Sequence, residues 1–294
     1  MQVAEAKDGR SMNTGQTAQP FDLAREPRDA VARFLARAAL AAGPAVMEEY
    51  RRAAIARVKR DGSPVTAADE RAEAIIRERL TRLAKRIPIV AEEATAAGQA
   101  IEIGERFILV DPLDGTKEFV ARNGEFTINV ALVAEGAPIA GAVYAPALER
   151  LWFGGEAAFA CAAPVGADLP EAAVWRPLRV RSAPESLVAL TSRSHGDPAT
   201  EAFLERLPVR ERRTAGSSLK FCVIAEGEGD VYPRFAPTME WDTAAGDAVL
   251  RAAGGVVLAA EGGPLLYGKV GAGLRNGGFV AWGDPRLAAR RRNR

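Results

Sequence analysis

Phe107-Ile108-Leu109-Val110-Asp111-Pro112-Leu113-Asp114-Gly115-Thr116 carries an apolar run straight into a pair of carboxylates. Four consecutive apolar residues bounded by a turn signal are the pattern of a buried strand. A strand that ends in two acids and a glycine turn builds a poor core and a good holder of hard cations. Asp111 and Asp114 offer anionic oxygens, Pro112 stiffens the turn between them, and the Leu113 carbonyl adds a neutral oxygen. Mg²⁺ favours such oxygen-only ligands, completed by water and substrate phosphate. Gly115 permits close backbone approach, and the amides of Gly115 and Thr116 face an anion if a helix begins there. Standing alone, Asp-Pro-x-Asp-Gly reads equally well as a solvated turn.

Three further acidic segments sit where elements begin. Ile87-Pro88-Ile89-Val90-Ala91 reads as a short strand running into Glu92-Glu93. Ser63-Pro64-Val65-Thr66-Ala67-Ala68-Asp69 leads into a helix over about Ala67 to Lys85, with Ala72, Ile75, Ile76, Leu80 and Leu83 at helical spacing. Arg71, Glu73, Arg77, Glu78 and Arg82 read as the solvated face of that helix. Trp241-Asp242-Thr243 opens another helical pattern, from Asp242 to Ala253. Taken singly, Thr66, Asp69 and Asp242 are ordinary caps of helix starts, and Glu92-Glu93 is a surface pair.

In this order the four segments resemble the Mg²⁺-dependent, lithium-sensitive phosphatase superfamily of inositol monophosphatases and fructose-1,6-bisphosphatases, across residues 28 to 285. Asp114-Gly115-Thr116-Lys117-Glu118-Phe119 is similar to the variant in bacterial 3′(2′),5′-bisphosphate nucleotidases of the CysQ type, where inositol monophosphatases carry a Thr-Asn-Phe-like ending. Tyr232-Pro233-Arg234-Phe235 and Gly216-Ser217-Ser218-Leu219-Lys220 resemble the same branch. Met239-Glu240, ahead of Trp241, is more acidic than that branch implies.

The resemblance implies an α/β (α+β) fold, a layered α-β-α-β-α sandwich. It implies two or three Mg²⁺ per active site, held by Glu92, Asp111, the Leu113 carbonyl, Asp114 and Asp242. Asp69 and Thr116 would be catalytic, orienting and deprotonating the attacking water. Glu92, Leu113, Asp114, Gly115, Thr116, Ser217 and Asp242 would also meet substrate. His195, the sole histidine, would lie on a loop that meets the nucleotide, and Lys220 and Arg234 would bind a second phosphate. Read from the residues alone, His195 is structural or exposed, Lys220 and Arg234 are surface cations, and Trp241 is a core anchor. The implied activity removes the 3′-phosphate of adenosine 3′,5′-bisphosphate, or of its sulfated analogue, in sulfur assimilation and nucleotide recycling. The alternatives are an inositol or sugar monophosphatase and a nucleotide-binding regulatory module that keeps the fold.

Composition sets the frame around that site. Among 294 residues, 48% are apolar, enough for a sizeable core in one large or two smaller domains. With 39 basic against 38 acidic residues, no global field recruits nucleic acid. Cys161 and Cys222 have no partner at metal-ligand spacing and read as unpaired thiols in a reducing cytoplasm. Residues 1–25 read as a polar, disordered extension without a signal-peptide core, and nothing approaches a span of about 18 apolar residues. A helix is expected from Arg28 to Ile55, broken or kinked at Gly43-Pro44. Residues 26–176 would form an N-terminal α+β metal-binding domain, ending in a linker from Ala162 to Arg176. Residues 177–294 would form a C-terminal α/β domain whose Asp242 closes the cleft. The basic run Arg286 to Arg294 reads as a frayed tail, or as a weak contact with acidic lipid on the cytoplasmic face of the inner membrane. Monomer and homodimer are both compatible with the sequence.

Overall fold

The computed structural model describes Leu23 and residues 25–52, 57–58, 64–84, 87–193 and 196–292. The expectations for the N-terminal extension before Leu23 and for His195 lie outside these. In chain order the first half comprises α1 (Arg28–Arg51), β1 (Arg57–Val58), β2 (Pro64–Val65), α2 (Ala67–Leu83), β3 (Ile89–Ala91), α3 (Glu92–Ala96), β4 (Arg106–Asp114) and α4 (Thr116–Val120). There follow β5 (Thr127–Ala134), β6 (Ala137–Ala145), β7 (Arg150–Gly154), β8 (Ala158–Ala162) and β9 (Arg176–Pro177). The second half comprises β10 (Leu187–Ser192), α5 (Pro198–Glu205), β11 (Val209–Ala215), α6 (Leu219–Ala225), β12 (Val231–Arg234), β13 (Thr238–Met239) and α7 (Glu240–Ala252). It closes with β14 (Val256–Ala259), β15 (Arg275–Asn276), β16 (Phe279–Trp282) and α8 (Pro285–Arg292).

A seven-stranded sheet, β3-β4-β5-β6-β7-β8-β9, and a five-stranded sheet, β11-β10-β12-β16-β14, carry the architecture. Each sheet has two faces to bury, and helices cover them. Leu35 of α1 and Ile76 and Leu80 of α2 pack on Ile108, Val110 and Ile128 of the larger sheet. Its other face, through Phe107, Leu109, Val133 and Trp152, meets Phe221 of α6 and Trp241 and Val249 of α7. Those two helices lean in turn on Tyr232 and Phe279 of the smaller sheet. The outer face of that sheet packs Leu187, Val231 and Trp282 against Leu204 of α5 and Ala288 of α8. The layers are α-β-α-β-α. Trp241 is a core residue, as its sequence surroundings suggested.

Several local expectations are corrected by tertiary packing. α1 continues through Pro44 to Arg51 instead of breaking. Ala42, Gly43, Ala45 and Val46 are buried there, and a side chain at Gly43 would stand 2.6 Å from Tyr144 Cε1. That packing outweighs the roughly 3 kcal/mol that an internal proline costs a helix. By length and composition α1 could cross a bilayer, with mean hydropathy 1.3, but 67% of that stretch is buried inside the protein. The expected linker is not free. Trp175 stands edge-on to Phe153 with ring centres 4.9 Å apart, and Arg176 pairs with Ala160. The basic C-terminus is helical through Arg292, with Arg286 bonded to Asp284 and Ser182. β11, Val209-Arg210-Glu211-Arg212-Arg213-Thr214-Ala215, escaped the sequence reading because an edge strand full of exposed charge carries no hydrophobic period.

Candidate active site

The acids of β4 are presented by a change of register. β4 pairs with β5 as Val110↔Val130 and Asp111↔Asn129, then resumes at Asp114↔Thr127. Three steps on one strand oppose two on the other, so Pro112 and Leu113 form a bulge that re-aims the chain. Asp111 Oδ1 accepts the Leu113 N–H at 3.0 Å. Gly115 follows at φ +88°, and a Cβ there would lie 2.2 Å from Ser217 Oγ. Left-handed backbone and close packing together require glycine. α4 then begins with Thr116, whose Oγ1 lies 3.3 Å from Leu113 O and 3.4 Å from Asp69 Oδ1.

Asp69 is both a cap and a neighbour of Thr116. Its Oδ2 accepts Thr66 N–H at 2.7 Å and Thr66 Oγ1–H at 2.8 Å, while Thr66 Oγ1 accepts Ala68 N–H. Oδ1 is left facing Thr116. Asp242 stands likewise in the first turn of α7, accepting Met239 N–H at 2.8 Å. Its neighbour Glu240 turns away from the cavity and accepts Gly268 and Lys269 amides at 2.7 and 2.9 Å. The unexpected acid at that position therefore anchors a loop. Glu92 opens α3 directly after β3.

Glu92, Asp111, Leu113, Asp114, Gly115, Thr116, Ser217, Lys220, Arg234 and Asp242 all line one cavity of about 280 Å³. Asp69 is buried, and its Oδ1 lies 3.4 Å from Oγ1 of Thr116, which lines the cavity. Burial, then the charges of Glu92, Asp114 and Asp242, push Asp111 well above the usual carboxylate range. Burial and the charges of Asp114 and Glu92 do the same to Asp242. Asp114 is raised by burial, against the opposing pull of Lys220, Ser218 and Asn129. Among the described residues no three acidic, histidine or cysteine side chains already form a ready metal-holding group. The acids share a cavity and feel one another's charge without forming a closed cage. Two buried oxygens on β5, Thr127 Oγ1 and Asn129 Oδ1, have no partner beside them. The acids and the Leu113 carbonyl on this lining offer only oxygen donors, a set that fits a hard divalent cation and no soft metal.

Two cations differ from their sequence reading. Lys220 is buried, not on the surface: Nζ donates to Ala215 O at 3.1 Å and Ser217 O at 2.7 Å and lies 5.0 Å from the Tyr232 ring centre. Burial lowers its pKa to about 8, while the charge of Asp114 acts in the other direction. Arg234 is half-buried and donates to Ser192 Oγ at 2.8 Å. Lys117 and Arg193 join them on the cavity lining, and Arg193 forks onto Glu125 at 2.9 and 2.8 Å.

Sequence reading missed Ser218 and Asn129. Ser218 Oγ donates to Asp114 Oδ2 at 2.9 Å, accepts Asn129 Nδ2 at 2.6 Å and lies 3.3 Å from Asp242 O. It ties the acid of β4 to the start of α7. A signal was present: Thr127 and Asn129 are polar residues two apart in an otherwise apolar strand, so both face the same side.

The sequence profile of the inositol monophosphatase family matches residues 28–291. The chain is 45% identical over 211 residues to the 3′(2′),5′-bisphosphate nucleotidase CysQ of Salmonella typhimurium, spanning 71% of this chain and 82% of that one. The crystal structure of CysQ from Bacteroides thetaiotaomicron superposes with a TM-score of 0.72 at 36% identity, covering 86% of this chain and 97% of that chain. The inositol monophosphatase of Anabaena shares the fold, with a TM-score of 0.67 at 24% identity over 89% of this chain and 94% of its own. The chain belongs to the inositol monophosphatase family.

Proposed function

We propose that this protein is a Mg²⁺-dependent 3′(2′),5′-bisphosphate nucleotidase that hydrolyses the 3′-phosphate of adenosine 3′,5′-bisphosphate to AMP and phosphate. The observation that carries this reading is one cavity with an acidic floor, Glu92, Asp111, Asp114 and Asp242, and a cationic lining, Lys117, Arg193, Lys220 and Arg234. Such a cavity suits a ligand with one phosphate to cleave and a second to hold. The identity to a relative named as a bisphosphate nucleotidase supports the same choice.

Phosphoryl transfer spreads charge over the equatorial oxygens, so the protein's task is positioning and electrostatics. Glu92, Asp111, the Leu113 carbonyl, Asp114 and Asp242 would hold two or three Mg²⁺, which supply Lewis acidity and neutralise charge on the attacking and leaving oxygens. Thr116 lines the cavity and its Oγ1 lies 3.4 Å from Asp69 Oδ1, a path for the proton of an attacking water. Thr66 fixes the other oxygen of Asp69, which holds that carboxylate in one orientation. Ser217 adopts a left-handed backbone, φ +48°, and Lys220 holds its carbonyl, so the ammonium both shapes this turn and adds positive charge behind it. Arg234, Arg193 and Lys117 would receive the second phosphate. Buried, unpaired Cys161 and Cys222 support a reducing compartment such as the cytoplasm.

Phosphate release from adenosine 3′,5′-bisphosphate, inositol 1-phosphate and fructose 1,6-bisphosphate, with and without Mg²⁺, tests the reading. The bisphosphate nucleotide is expected to be the best substrate, and only with Mg²⁺. Faster turnover of inositol 1-phosphate would replace the proposed substrate. Tight nucleotide binding without release would replace the enzyme by a binding module.

A further inference from the structure

We infer that Glu73, a buried carboxylate outside the cavity, is the positioning residue that holds Glu92 at the acidic floor. α3, which begins with Glu92, is only five residues long and buries none of them, so no apolar face fixes it. Its N-cap position is Ala91, which offers no side-chain acceptor. The first amides of a helix lack partners inside the helix and have to find them elsewhere. Glu73 supplies both acceptors: Oε2 receives Glu93 N–H at 2.7 Å and Oε1 receives Ala94 N–H at 2.9 Å. A full negative charge is thereby set against the positive end of α3. The residue is 5% exposed, which contradicts its sequence reading as part of a solvated face.

Glu73 follows Asp69 by four residues on α2, so both project from one side of that helix. α2 is seated on the larger sheet by Ala72, Ile76 and Leu80. One rigid helix therefore offers Asp69 to Thr116 and, a turn later, Glu73 to the amides beneath Glu92. Arg77 and Gln99 brace the arrangement from outside, with Arg77 Nη1 3.5 Å from Glu73 Oε1 and 3.0 Å from Gln99 Oε1. The inference rests on the reading of Glu92 as a cation ligand, because positioning matters only if Glu92 has something to hold. Loss of outer groups that orient metal ligands weakens metal binding about ten- to hundred-fold in known sites.

The test compares wild type with Glu73→Gln and Glu73→Ala, using Mn²⁺ as the probe. Ile76→Val, a buried change on the same helix, controls for general loosening of α2. Calorimetric titration of cation-free protein should show Mn²⁺ affinity about tenfold or more weaker in both Glu73 variants and unchanged in Ile76→Val. Saturating Mn²⁺ should restore kcat in the Glu73 variants. Amide hydrogen exchange without metal should be faster across residues 92–97 in Glu73→Gln, with β4 and β5 as protected as in wild type. Wild-type affinity in Glu73→Gln, or equal weakening in Ile76→Val, would overturn the inference. If wild type itself binds no Mn²⁺ while Glu73→Gln still loosens residues 92–97, the structural link stands and the proposed cation site fails instead.

Discussion

Removing one charge from the acidic floor should make the cation-free protein more stable and the cation-loaded protein less so. Asp242→Asn is the cleanest case. The asparagine Oδ1 can still accept the Met239 N–H that Asp242 accepts at 2.8 Å, so the start of α7 is kept. Lost is a buried charge that repels Asp111 and is itself destabilised by burial, Asp114 and Glu92. In wild type, Mg²⁺ at one hundred times its dissociation constant should stabilise the fold by about 2.7 kcal/mol. With roughly 2–4 °C per kcal/mol for chains of this size, the melting temperature should rise by about 5–10 °C. If the variant binds about a hundredfold more weakly, the same Mg²⁺ gives about 0.4 kcal/mol, a rise of only about 1 °C. Thermal melts of chelator-treated protein, repeated across a Mg²⁺ series, read both effects. A variant that melts below wild type without Mg²⁺ and responds to Mg²⁺ as wild type does would show that Asp242 neither crowds the acidic floor nor holds the ion.

Thr116→Ala and Asp69→Asn should each lower kcat by about 10²–10⁴ with cation affinity retained, and Thr116→Ser should recover most of the rate, as measured by phosphate release at saturating Mg²⁺. Gly115→Ala should destabilise by more than about 1 kcal/mol in denaturant unfolding, because an alanine there meets Ser217 Oγ and adopts φ +88°. Burial pushes the Cys161 thiol up to about 11 and Cys222 well above its ordinary value. Both should stay inert to a thiol reagent at pH 8 in native protein. Cys161 should begin to react only as the pH climbs towards 11, and both should react at once after unfolding.

How far the sequence could be read depended on the range of the interactions involved. The Asp111 to Thr116 turn was legible because a strand end, a proline and a positive-φ glycine are all local features. Asp69 and Asp242 were legible as caps from their own neighbours, and only the fold brings the cavity lining to Asp242 and, through Thr116, to Asp69. Glu73 was misread because its partners, the amides of Glu93 and Ala94, lie about twenty residues away in the chain. Lys220 was misread for a similar reason: the carbonyls that receive it belong to a turn whose shape a sequence does not display. Pro44 reads as a kink or a break in the helix because local propensity is visible in a sequence and the packing of α1 against Tyr144 is not. Ser218 and Asn129 show the reverse, since their role follows from a polar pair inside an apolar strand and from a serine beside the chosen Ser217.

Acids from β4, α3 and α7 are proposed to hold divalent cations jointly in one cavity. Anomalous diffraction from crystals soaked in Mn²⁺ tests it directly. Peaks are expected in coordination contact with Asp111 and Asp114, at least one of them shared with Asp242. Ordered crystals of active protein with no peak there, or with Asp242 contacting none of the ions, would contradict it.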